Sequence, residues 1–429
     1  MYSVEQLRLK SSRYNLLKIG SMFLMVLFAI RDIGGIAINP YLLTMIMSGI
    51  AIMLPYQQLV SYVFFMLPLS CGIQSFVWVV ILGCLLLRRK KVPIKSIVLA
   101  MIFVLLELLD QAHHPAFDTI AKNTIFYFVS LFIVFISTID YDTNTDHAQN
   151  VRYFIYGTAF LFIMIFGRVI LDSGLDELLT GALRYKMDTK DLANDYVFFT
   201  NANNIGLYSA TCVACLLIGI KHIQISKMLY VILFIIIVAG GALSFSRTWL
   251  LMSALSVVLF LALSPKNKKF VSALLFIVIA AVIVMNTTVF DPIYEVFETR
   301  LTSEDISDGA GRTDLFKLYH NFFSEHPEYW VTGTGAVYYL KVCAQPNSIH
   351  NMLQQIYIAY GLIGICVFMY YFVEILLRCK RFVWSMVQYI PFIVYIIFAQ
   401  TLQFVNPIFC MYPLALVVAC FYLKQYNNA

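Results

Sequence analysis

LVSYVFFMLPLSCGIQSFVWVVILGCLLLRRKK, residues 59–91, decides how this chain folds. It reads either as one long apolar helix or as two helices with a turn between them. Pro68-Leu-Ser-Cys-Gly72 favours the turn, because proline and glycine punctuate helical patterns. The choice sets the direction of every later segment. With the turn the chain holds about fourteen apolar spans, and without it about thirteen. The basic clusters arbitrate: Arg8/Lys10/Arg13, Arg88-Arg-Lys-Lys91, Lys221/Lys227, Lys266/Lys268/Lys269, Arg378/Lys380/Arg381 and Lys424. Cytoplasmic loops carry the Lys/Arg excess. Two helices put every cluster on one side. One helix strands the N-terminal cluster opposite the rest.

Composition says that the solvent is lipid. Of 429 residues 61% are hydrophobic and 13% charged, and mean hydropathy is +0.80. Soluble chains carry about 25% charged residues. Apolar runs recur along the whole length and lack the alternation of barrel strands. The fold class expected is an all-α polytopic membrane protein with roughly 12–14 membrane helices. The spans fall roughly at 15–32, 36–54, 59–70, 72–87, 94–110, 117–139, 152–171, 203–220, 227–244, 248–263, 268–286, 354–377, 382–402 and 405–423. No cleavable signal is expected, since Met1–Tyr14 is polar and basic and leads into the first span. Eight of the nine cysteines lie in or beside apolar runs, including the Cys212-x-x-Cys215 pair, so they read as small core residues. Only Cys343 lies in a long polar segment, so no disulfide is expected.

This topology places residues 172–202 and 287–353 outside the cytoplasm. The chain then divides into N-terminal helices (1–286), one large outer loop (287–353) and C-terminal helices (354–429). Arg247, in the polar notch SFSRT, lands at the outer membrane surface, where a charge near the bilayer core costs a few kcal/mol. Arg168 and Lys122 approach the same face, and snorkelling to headgroups is the plain alternative for all three.

The large loop holds nine acidic residues against four basic ones, so its arginines read either as placed groups or as partners of neighbouring acids. GRTDLFKLYHNFFSEHP reads as an amphipathic helix with Leu315, Phe316, Tyr319, Phe322 and Phe323 on one face. Pro327 stops it, and Arg312 stands at its start away from the aromatic face. Gly309 and Gly311 permit a tight approach before Arg312. Gly333-Thr-Gly335 marks a further turn. In PNSIHNMLQQIYIAYGLIG, Ser348 reads as a helix N-cap, which puts His350 and Asn351 in the first turn. The helix dipole there disfavours an imidazolium, so His350 is a candidate general base. An interfacial histidine bonded to backbone or lipid is the plain alternative. His113-His114-Pro115 falls in a short outer turn, and no metal-ligand spacing recurs.

The ordered series SFSRTWLL, then GRTDLF, HP, GTG and HNMLQQIYIAYGLIG, resembles the O-antigen ligase/polymerase superfamily, the Wzy-type polymerases and their ligase relatives, over roughly residues 235–370. Arg300 to Gly311 has the Arg–x10–Gly spacing of such polymerase loops, whereas Arg184 in 172–202 has no glycine eleven positions later. The resemblance implies a membrane glycosyltransferase of the GT-C type in the bacterial inner membrane, with no cofactor, metal or nucleic acid. Its donor is an undecaprenyl-pyrophosphate-linked glycan, supplied by a flippase, with a chain-length regulator as a further partner. By the same resemblance Arg247 holds the pyrophosphate, Arg312 and Arg300 close over it, and His350 takes the proton from the attacking sugar hydroxyl. Arg168 and Lys122 line the rim, with Asn351 and Gly311 beside the substrate. Glu304, Asp305 and Asp308 bind sugars or orient arginines. Polymerase and ligase remain open. A transporter is the third reading, and it predicts mid-membrane charges and paired broken helices.

Overall fold

A computed structural model describes residues 4–113, 120–181, 198, 200–223, 225–264, 295–296, 298, 312–337, 339–345, 349–402 and 408–423. Among them there is no strand. The principal helices are α1 (Val4–Asp32), α2 (Pro40–Met53), α3 (Tyr56–Met66), α4 (Phe76–Arg88), α5 (Ile94–His113), α6 (Ile120–Thr138) and α7 (His147–Leu179). They continue as α8 (Ala202–Leu217), α9 (Lys227–Leu243), α10 (Arg247–Leu263), α11 (Arg312–Glu325), α12 (Met352–Cys379), α13 (Ile390–Ala399) and α14 (Pro413–Phe421).

The outside of the bundle is apolar: Leu87, Met228, Tyr41 and Met45 are all more than 70% exposed. Polar side chains instead pair between helices inside it. Ser61 donates to Asn150 at 2.6 Å, Thr138 meets the Tyr371 hydroxyl at 2.7 Å, and the Trp249 indole donates to Ser209 at 2.8 Å. Apolar surface outside and interhelical hydrogen bonds inside suit a lipid surround. Helix α8 runs through the middle, packed against α9, α10, α13 and α14, and is buried on nearly every side. Cys212 and Cys215 lie within it, and none of the nine cysteines is in a disulfide.

The turn at Pro68–Gly72 is real, a short 3-10 segment between α3 and α4. Arg88, at the end of α4, donates to the carbonyls of Ala51 (2.9 Å), Ile52 and Leu54 at the end of α2. Arg89 donates to the Asp140 carbonyl, and Arg378, near the end of α12, to those of Ile139 and Tyr141. These arginines cap helix C-termini at one end of the bundle, which we call the basic end. Helix α1 finishes at the opposite end, where Arg31 and Gly72 border one cavity, so α1 starts at the basic end too. The N-terminal and Arg88 clusters thus share an end, as the two-helix reading of 59–91 requires.

Two helices, His147–Leu179 and Met352–Phe382, are long and apolar enough to cross a membrane by themselves; the other apolar helices are shorter. Expected span lengths fail where a cap intervenes. Asn39 caps α2 and Pro40 opens it, Pro391 sits at the start of α13, and Pro413 opens α14. Proline at the first helical position fixes a start that hydropathy overlooks. The expected span 268–286 lies outside the described residues.

The largest departure is in α12, expected as one continuous span. Gly361 has φ +60°, so the helix is two segments, Met352–Tyr360 and one from residue 362 onward. Broken backbone at membrane depth needs partners from the protein. The turn at 333–335 supplies them. Thr334 N–H donates to the Ile358 carbonyl and Gly335 N–H to that of Ala359, both at 2.9 Å.

Candidate active site

Arg247 is the first residue of α10, half-buried, and its side chain makes no hydrogen bond or ion pair to other described residues. Its polar neighbours are committed to the turn. Ser246 accepts from Trp249 N–H as the N-cap, and Ser244 donates to the Gly241 carbonyl at 2.6 Å. Phe245, fully buried between them, has φ +48°. A non-glycine residue there carries strain, so the surrounding packing holds this turn in one shape. A cation at a helix N-terminus faces the positive end of the dipole at a cost of about 0.3–1 kcal/mol. The same placement, a charged fork beside open N–H groups, favours an anion.

Arg312 opens α11 in the same manner. Its side chain lies outside the described residues, as does that of Lys122 at the start of α6; Arg300, Gly311, Glu304, Asp305 and Asp308 lie outside them altogether. Helix α11 buries Tyr319 and Phe323 against Ile349, Ile358, Tyr339 and Cys343. Phe316, expected on that buried face, is 46% exposed and stacks on His320 one turn later. The buried stripe is narrower than the periodicity: Tyr319 and Phe323 are buried, and Phe322 packs beside them on His326 and Tyr329. Phe316 and His320 border, with Ile349, Gln354 and Tyr357, a shallow pocket of about 80 Å³. The register of α11 thus sets Phe316 and His320, one and two turns after Arg312, beside Ile349 and Gln354. Burial pushes the Cys343 thiol up to about 12, an inert packing group.

The cap of α12 is Asn351, not Ser348. The Asn351 side chain accepts from Gln354 N–H at 3.1 Å. His350 therefore precedes the helix, half-buried, and does not occupy the first-turn position expected of it. Asn351 is likewise a cap before it is a substrate ligand. The signal was present as Asn351-x-x-Gln354, the spacing of a capping box.

The short segment Met352–Tyr360, about 12 Å long, is held on two sides. Tyr357 and Ile358 pack on α11. Tyr360, at its end, meets Glu107 of α5, an acid that the sequence reading passed over together with Asp110, both buried. Glu107 accepts from the backbone N–H groups of Ala336 and Val337 and from the Tyr360 hydroxyl, which also meets the Tyr127 hydroxyl at 2.8 Å. Gly335 has φ +74°, and a Cβ there would stand 2.5 Å from Asp110 Oδ2 and 2.9 Å from Glu107 Oε2. Only glycine lets the turn come between the two carboxylates. Intramembrane acids are costly and are kept for a partner, so LLELLD was a readable signal. Glu107→Ala leaves buried donors unmet, at about 1–3 kcal/mol each. A lower melting temperature in detergent with helix content retained is expected; an unchanged melting temperature contradicts the clamp.

Arg168 stands apart from these groups, on α7. Its guanidinium bonds Asp172 at 2.8 Å and the Asp32 carbonyl at 3.2 Å, so it is a paired group and not a bare cation. Next to it is Arg31, also passed over, in a two-pronged contact with Asp32 at 2.7 and 2.9 Å. The two arginines border a cavity of about 490 Å³ between α1, α2, the Pro68–Gly72 turn and α7. The structure thus brings α11, His350 and the acid clamp together, and gathers Arg31 with Arg168. Arg247 sits on α10, which packs on α8, α9 and α13.

A search of the curated proteins finds no match. Residues 231–369, which hold Arg247, Arg312, the 333–335 turn and His350, match the family model described as O-antigen ligase. That family covers ligases and polymerases, glycosyltransferase-like integral membrane proteins of polysaccharide synthesis. Over residues 231–369 the chain is similar to that family, consistent with the O-antigen ligase/polymerase superfamily.

Proposed function

We propose that this protein joins undecaprenyl-pyrophosphate-linked repeat units into O-antigen or capsular polysaccharide at the outer face of a bacterial inner membrane. The observation that carries this reading is the placement, inside the matched segment, of Arg247 and Arg312 at two helix N-termini and His350 just before a third. Helix N-termini and arginine forks are complementary to phosphate oxygens. In the reaction, a hydroxyl of the acceptor sugar attacks the anomeric carbon of the donor as His350 takes its proton. The bond from that carbon to the pyrophosphate oxygen breaks, and undecaprenyl pyrophosphate leaves with the electron pair. Arg247, with Arg312 and Arg300, neutralises the charge that grows there. A flippase supplies the donor, and a chain-length regulator is the natural further partner.

Deletion of the gene tests the acceptor. Lipopolysaccharide bearing a single repeat is the expected phenotype of a lost polymerase. Undecaprenyl-linked polymer with none on the lipid A core instead makes the protein the ligase. Topology is tested by single cysteines at 176–196 and 300–345, which an impermeant maleimide is expected to label from outside. Labelling of 300–345 only after permeabilisation contradicts both topology and mechanism.

A further inference from the structure

The cavity beside Arg31 and Arg168 shares no lining residue with α10, α11 or α12. Its volume of about 490 Å³ is in the range of small-molecule sites, about 300–1,000 Å³. Its chemistry is not that of a phosphate cradle. Arg31 is neutralised by Asp32 and Arg168 by Asp172, so a dianion would compete with two carboxylates already seated. Yet Arg31 keeps donors to offer. The Asp32 contact occupies two of the five N–H groups of Arg31. The Arg31 fork is also fixed in place, 5.0 Å from the Phe28 ring centre and 5.2 Å from that of Phe198. Gln74 adds an exposed amide to the lining, and Leu43 and Met47 add apolar side chains to it. Charge-balanced, preorganised donors and acceptors beside apolar side chains match a sugar ring, with hydroxyls at its rim and C–H groups on its faces.

We infer that this cavity is a carbohydrate subsite, separate from the arginines that would hold the pyrophosphate. It takes sugars of the second glycan that a transfer between two chains requires. The identity of that glycan rests on the function proposed above; the binding itself does not. Cys71 lines the cavity and is half-buried, so the protein carries its own reporter.

The experiment uses the full chain in nanodiscs. A charged methanethiosulfonate reagent modifies Cys71, and peptide mass spectrometry follows the rate. The probes are the free oligosaccharide released from the host's lipid-linked repeat unit, and inorganic pyrophosphate. The oligosaccharide is expected to slow modification about tenfold when present at about ten times its dissociation constant. Pyrophosphate is expected to leave the rate unchanged. Gln74→Cys in a Cys71→Ala background is a second reporter in the same lining, expected to be protected alike. Arg168→Lys, on a part-exposed side chain, should lose protection while its melting temperature holds. Protection by pyrophosphate alone, or by neither probe at either reporter, overturns the inference. Polymer formation without sugar protection sinks the subsite and leaves the function standing. Sugar protection in a protein that transfers nothing does the reverse.

Discussion

His350→Ala is expected to cut glycan transfer by about a hundredfold or more, the usual contribution of a general base. The fold should survive. His350 lies outside α12, whose cap is Asn351, and the Met352–Tyr360 segment is held by α11 on one side and by Glu107 through the 333–337 turn on the other. Donor binding should survive as well, because the proposal gives the pyrophosphate to the arginines and not to His350. The measurement separates the two steps: binding of the lipid-linked repeat unit, and appearance of a product ladder, with purified protein in nanodiscs. Full transfer by the variant removes His350 as the base. Loss of donor binding with unchanged melting moves it into the pyrophosphate site.

Arg247→Lys is expected to lower product formation by about a hundredfold, comparable to the loss of one preorganised donor at a developing charge. Lysine keeps the charge and loses the two-pronged fork. Protein level should hold, since Ser246 still caps α10 and Trp249 still bonds Ser209. A residue that only snorkels to headgroups tolerates lysine. Wild-type transfer by Arg247→Lys therefore supports that reading and removes Arg247 from the mechanism.

Much of the architecture was legible, and the reasons are local. Pro68 and Gly72 announced the turn between α3 and α4, and the basic clusters announced which helix ends share a side. The arginines do there what their positions suggest, closing helix C-termini. The amphipathic helix beginning at Arg312 and ending before Pro327 was legible from its period. The break at Gly361 was not. Hydropathy sees an unbroken apolar run, while the break exists because a distant turn at 333–335 satisfies its carbonyls. Glycine permits that break without requiring it.

The candidate site was legible in part for the same reason. Arg247 and His350 stand out because polar residues interrupt apolar runs around them. Ser244 and Ser246, which made the notch around Arg247 conspicuous, turned out to be caps. Arg31 and Asp32 escaped notice because an Arg-Asp pair at a span end reads as an ordinary boundary. Only the fold sets them beside Arg168, which lies 136 positions from Asp32. Glu107 and Asp110 lacked any visible partner in sequence, since the turn they hold lies more than two hundred positions away.

The most direct measurement of the central claim supplies purified protein in nanodiscs with undecaprenyl-pyrophosphate-linked repeat unit alone. The account predicts a ladder of lengthening lipid-linked glycans with release of undecaprenyl pyrophosphate, lost in His350→Ala and Arg247→Lys. A donor left intact, both alone and with lipid A core added, by protein that binds it and remains folded would contradict it.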